Sequence, residues 1–210
     1  MENKMAVVEP VETSSRTGDI NMENKITLSK QIIIGLAFAA MEFLMVVLNY
    51  KFLKLPLYFD CIWTCAASFF SPLSGIICAV CYHFPVIILL HHDWPSLIFS
   101  LCSLTVVLCV RIFVRYKKNL PFVLSFIMLI FVIAFAISIE GGIIYNINYE
   151  HLAYIEESPD NNFIYSFFIR GFSFLFSGIL GRIPVNLIDK TVACIFGLLI
   201  YKTAGKISKI

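Results

Sequence analysis

Residues 61–92 read CIWTCAASFFSPLSGIICAVCYHFPVIILLHH and contain no Asp, Glu, Lys or Arg. A helix needs about 20 residues to cross the hydrocarbon core of a bilayer. The run is therefore too long for one span and too apolar for a water-exposed surface. Ser71-Pro72-Leu73-Ser74-Gly75 divides it, because Pro and Gly punctuate helices. The reading is two short spans, 56–70 and 73–90, joined by a turn.

Similar runs lie on either side. Towards the N-terminus, 31–50 (QIIIGLAFAAMEFLMVVLNY) reads as an uncleaved first span. Residues 1–30 are polar and lack the apolar core of a signal peptide, so they read as a flexible cytoplasmic tail. Towards the C-terminus, His91-His92-Asp93-Trp94-Pro95 is a turn, with Pro95 suited to a helix start. Spans follow at 95–113, 120–146 and 184–202. The whole chain of 210 residues agrees with this layout: it is 59% hydrophobic and 14% charged, against about 25% charged in ordinary soluble domains. Mean hydropathy is +0.85. A soluble globule could not cover itself with so few charges, and the disordered, coiled-coil and disulfide-scaffold classes are excluded too. The net charge of +2 gives no case for nucleic acid as a partner. The seven cysteines all fall in apolar runs and are odd in number, so they read as small packing residues, not a disulfide framework.

Loop charges orient the chain, because Lys and Arg favour the cytoplasmic side. With the N-terminus inside, the cytoplasmic positions collect Lys4, Arg16, Lys25, Lys30, Arg111, Arg115, Lys117, Lys118, Lys202, Lys206 and Lys209. The clear outside positions hold only Lys51 and Lys54. Residues 163–182 read either as a seventh span or as an outer interfacial helix. A seventh span would place the C-terminal lysines outside, so the second reading is preferred. The expectation is an all-α integral membrane protein of the cell membrane: a bundle of six transmembrane helices over 31–205, both termini cytoplasmic, with an extra outer helix.

No phosphate loop, H-E-x-x-H or G-x-S-x-G motif is present, so no catalytic residue, metal or cofactor is assigned. Cys78-x-x-Cys81-x-His83 resembles part of a metal set, but His83 points away from the helix face shared by the two cysteines. The informative residues are ionisable groups inside apolar runs. Each costs at least a few kcal/mol near the bilayer centre, so it usually faces a partner or a polar cavity. Asp60, Glu140, Asn186 and Asp189 fall at one depth near the outer face, with Trp63 and Tyr145 as apolar walls; together they read as a small-molecule pocket. The structural alternative makes Asp60 and Asp189 helix-start carboxylates and pairs Glu140 with Arg182. Glu42 stands alone at mid-span. In the first span, Gly35 and Ala39 lie four residues apart on a small-residue face that lets another helix approach closely.

The layout resembles the substrate-binding S component of energy-coupling factor (ECF) transporters. The resemblance is carried by Gly35-Leu36-Ala37-Phe38-Ala39, by Leu55-Pro56-Leu57-Tyr58-Phe59-Asp60-Cys61-Ile62-Trp63-Thr64 followed by Ser71-Pro72-Leu73-Ser74-Gly75, and by Arg182-Ile183-Pro184-Val185-Asn186-Leu187-Ile188-Asp189-Lys190 at the start of the last helix. Trp63 stands where the family pattern has Gly, and His83 where relatives have Asn. The resemblance implies a non-enzymatic subunit that binds a vitamin-like micronutrient at its outer face. It also implies docking, through Gly35 and Ala39, on a transmembrane coupling subunit served by two ATPase subunits. The competing readings are a membrane sensor or scaffold without transport, and a membrane-embedded lipid-modifying enzyme.

Overall fold

The computed structural model describes residues 27–90, 94–116, 121–152 and 160–207. Most of the 1–30 tail lies outside the described residues. All regular structure among the described residues is helical. Helix α1 (Leu28–Leu48) ends in a π-helical turn over Asn49–Leu53, followed by α2 (Ile62–Phe70), α3 (Pro72–Cys81) and α4 (His83–Leu90). A 3-10 turn over Trp94–Phe99 leads into α5 (Ser100–Tyr116), then α6 (Phe122–Leu152), α7 (Asn161–Phe168) and α8 (Phe174–Ile207).

Among the described residues, five stretches are long and apolar enough to cross a membrane: Leu28–Leu53, Pro72–Leu89, Trp94–Tyr116, Phe122–Glu150 and Phe174–Ala204. The expected second span, 56–70, is not among them. Its helical part, α2, has 9 residues and is about 14 Å long at 1.5 Å per residue, roughly half the hydrocarbon thickness. Residues 54–61 are not helical; they run into the bundle to reach the start of α2. The break after α2 is where the sequence places it: Ser71 accepts a hydrogen bond from the Ser74 N–H, with Pro72 in the first helical position, a strong N-terminal signal.

The ambiguous 163–182 segment is neither a seventh span nor one continuous interfacial helix. Its first part is the short helix α7. The chain turns through Gly171 at φ 91°, and its second part is the beginning of α8. The last span therefore starts ten residues earlier than expected, with Pro184 inside the helix. Pro184 cannot donate to the Leu180 carbonyl. Neighbouring helices make such a proline tolerable in a membrane.

Helix α8 is the axis of the fold and packs against α6, α2 and α7, while α1 packs against α3 and α2. One core cluster joins Cys61, Ile62, Cys65 and Phe69 to α5, α6 and α8; a second joins Ala39 to Ala67, Cys78 and Tyr82. At one end of the bundle, the Ser74 hydroxyl donates to the Gln31 carbonyl at 2.8 Å, and Tyr201 meets Phe69 and Phe70. At the other end, the 54–61 stretch lies beside α7 and the first half of α8.

Candidate functional site

The 54–61 stretch is pinned along its length by side chains. Asn49 holds its beginning: its amide donates to the Leu57 carbonyl at 2.6 Å, and its side-chain oxygen accepts from the Leu55 N–H at 3.1 Å. The Phe59 N–H donates to Asp189 Oδ1 at 2.9 Å. Phe59 itself adopts φ 53°, a left-handed conformation that a bulky residue keeps only where its surroundings over-determine it. Irregular backbone at membrane depth needs such partners, because lipid supplies none.

Two ion-pair groups sit beside this stretch. Lys190 Nζ lies 2.7 Å from both Asp60 Oδ1 and Asp189 Oδ2, 3.4 Å from Cys61 Sγ and over the Tyr58 ring. Arg182 Nε lies 3.2 Å from Asp160 Oδ2. The Tyr58 hydroxyl donates to Asp160 Oδ1 and accepts from Arg182 at 3.1 Å. The Arg182 guanidinium also lies over the rings of Phe99 and Tyr145. Asp160 precedes the first residue of α7 and is fully buried. It can lie this deep because α7 meets α8 at Gly181, where an added Cβ would stand 2.6 Å from the Ile164 nitrogen.

Glu42 is not alone. Its Oε2 accepts the Thr64 N–H at 2.7 Å. Thr64 is in the first turn of α2, where backbone donors lack intrahelical partners and the helix dipole favours a negative group. The carboxylate from α1 thus caps the half-length helix at mid-bundle. Nearby, the Thr64 hydroxyl contacts Cys78 Sγ at 3.5 Å, and Ser103 joins Tyr82 and His83 at 2.9 and 3.2 Å. Among the described residues, no group of three or more His, Cys, Asp or Glu is placed to hold a metal ion.

Of the six expected pocket residues, the structure brings Asp60 and Asp189 together on Lys190. Asn186, one turn before Lys190, donates from Nδ2 to the Ser138 hydroxyl at 3.0 Å. Tyr145 packs on Arg182 and Phe174. Trp63 lies against Phe38 of α1, with ring centroids 5.4 Å apart. Glu140 is not the partner of Arg182, which pairs with Asp160. A double-mutant cycle should therefore give Asp160→Asn and Arg182→Gln a coupling of about 0.5–3 kcal/mol in unfolding stability, larger than that between Glu140→Gln and Arg182→Gln; the reverse order would contradict this pairing.

Several polar atoms here are buried without a protein partner: Glu42 Oε1, Trp63 Nε1, Glu140 Oε2, Asn186 Oδ1 and both side-chain polar atoms of Asn148. Buried polar groups are normally satisfied, so these atoms mark where the bundle interior is polar without internal pairing.

Gly35 and Ala39, expected to dock a coupling subunit, face the chain's own α2 and α3 instead of an open surface. Both are buried in the chain's own bundle. A Cβ on Gly35 would stand 2.8 Å from Ile77 Cβ and 3.0 Å from the Ser74 carbonyl, so the small-residue face is filled by α3.

The sequence offers Tyr58 only as one of several aromatics near the outer boundary and Lys190 only as one of several ionisable groups in an apolar run, and it does not single out Asp160. Asp160 fell in an acidic segment, 147–162, that reads as a solvated loop; nothing local distinguishes it from Glu156 or Glu157. Lys190 carried a signal, since a lysine next to an aspartate inside an apolar run requires a partner. No protein-family model matches the chain, and neither a curated protein nor a solved structure matches it.

Proposed function

We propose that this chain is the ligand-capturing, membrane-embedded subunit of an ATP-driven ECF-type micronutrient uptake transporter. It binds a small vitamin-like molecule at its outer face. The observation that carries the capture half of this reading is a half-length helix whose first turn bears two buried polar atoms without a hydrogen-bond partner, Trp63 Nε1 on the helix itself and Glu42 Oε1 of the carboxylate that accepts from Thr64. Discontinuous helices whose ends open at mid-membrane, next to irregular backbone, are where transporters place their binding sites. Here α2 begins in the bundle interior, the extended 54–61 stretch precedes it, and Trp63 and Glu42 offer open hydrogen-bonding atoms at its first turn. The ATP-coupled half rests on the resemblance of the 55–75 and 182–190 motifs to the S-component family.

Asp60 is the contact residue of choice for the ligand. Its side chain is 29% exposed, against 2% for the side chains of Lys190 and Asp189, so it is the member of this charge group that a molecule can reach. A hydrogen bond to a charged group is worth about 1.5–3 kcal/mol. Asp60→Asn should weaken ligand binding about 10- to 150-fold while the protein stays folded, because Lys190 keeps Asp189. The ligand itself is found by mass spectrometry of small molecules released from the purified protein, and its affinity for both forms is then measured by calorimetry. Unchanged affinity in Asp60→Asn would remove Asp60 from the site. Absence of ATPase subunits from gentle pull-downs of the tagged protein would favour a sensor or scaffold over a transport subunit.

A further inference from the structure

At the end of the bundle away from this site, α5 and α6 part to leave a groove of about 230 Å³. Its walls are two facing stripes: Cys109, Ile112, Phe113 and Tyr116 from α5, and Ser125, Met128, Leu129 and Val132 from α6. Each stripe repeats at i, i+3, i+4 and i+7, so each is one face of its helix. The groove runs about 10 Å along the helices, roughly a third of the hydrocarbon core. It is open on one side, and the Ser125 hydroxyl in its wall is buried without a partner. Ser68, Ser138 and Thr191 each turn back on the carbonyl four residues earlier; Ser125 does not.

The charge around the groove has one sign. Exposed Arg115 lies beside Tyr116. Exposed Lys202 at the end of α8 lies over the ring of Phe122, the first residue of α6. No Asp or Glu occurs between residues 94 and 139 or after residue 189. The unsatisfied N–H groups at the start of α6 add to the positive field. An apolar slot with a basic mouth matches one kind of molecule available at this depth. We propose that the groove holds an acyl chain of an anionic phospholipid, whose headgroup sits between Arg115 and Lys202 and whose polar backbone region approaches Ser125. Basic pockets between spanning helices recognise anionic headgroups in this way.

The test uses the full chain purified in uncharged detergent. Native mass spectrometry follows binding of dioleoylphosphatidylglycerol and dioleoylphosphatidylcholine at equal concentrations. The expected result is preferential retention of phosphatidylglycerol. Arg115→Gln with Lys202→Gln should weaken its binding about 30-fold. Val132→Trp should abolish retention by filling the groove while both cations remain; Val132 is 52% exposed, so the indole need not disturb the core. Leu44→Trp on the exposed face of α1 should change nothing. Equal binding of the two lipids, or retention of phosphatidylglycerol in Val132→Trp as in the parent, would overturn the proposal. Stabilisation by inorganic phosphate alone equal to that by the lipid would overturn it as well.

Discussion

Lys190→Met is expected to lower the unfolding free energy by about 3–5 kcal/mol, the usual consequence of removing one partner from a buried ion pair. Lys190 is only 1% exposed, and its ammonium contacts Asp60 and Asp189 equally at 2.7 Å. Its removal leaves two carboxylates without their shared cation, one of them almost fully buried. The loss propagates, because Asp189 also fixes the Phe59 N–H and with it the left-handed turn of the 54–61 stretch. Membrane-protein unfolding in mixed detergent micelles measures the loss. Adding Asp60→Asn and Asp189→Asn to Lys190→Met should recover most of it, since the penalty comes from unpaired charge and not from a missing attraction. A single Lys190→Met variant as stable as the parent would show that the network does not hold the fold.

Gly35→Leu combined with Ala39→Leu should be comparably damaging, and the damage should be visible in the isolated chain. At Gly35, even the first added carbon meets Ile77 Cβ at 2.8 Å, Ile77 Cγ2 at 2.9 Å and the Ser74 carbonyl at 3.0 Å. The carbonyl belongs to α3 backbone and cannot swing aside. Ala39 is closed in by Ala67, Cys78 and Tyr82. Overpacking costs about 1–3 kcal/mol at each position, and separating α1 from α3 also breaks the Ser74–Gln31 hydrogen bond. Thermal unfolding of the purified chain, without any partner subunit, is the measurement. If the double variant unfolds at the parent's temperature and loses only partner assembly, the face is a docking surface after all and the α1–α3 contact is wrong.

The sequence by itself determined the solvent. With so few charges and such long apolar runs, the chain has to meet lipid, and lipid allows only structures that satisfy their own backbone, here helices. It also determined the break at Ser71-Pro72, because capping and proline geometry are local properties. Charge placed inside apolar runs flagged Asp60 and Asp189 without reference to any neighbour.

Pairing was decided only by the tertiary structure. Composition cannot separate a span from a half-length helix preceded by extended chain, since both are apolar; Asn49 closes the start of 54–61 locally, but what makes the rest viable at depth is Asp160 and Asp189 arriving from distant segments. The partner of Arg182 is Asp160 and not Glu140, because the close approach at Gly181 carries α7 onto α8. The small-residue face of α1 turns inward for a related reason. A Gly35–Ala39 pattern states only that some helix comes close; the helix that arrives is α3, whose short turn from α2 and hydrogen bond to Gln31 hold it there. Burial of a charge is legible one residue at a time, whereas the identity of what neutralises it depends on long-range contacts that no local pattern encodes.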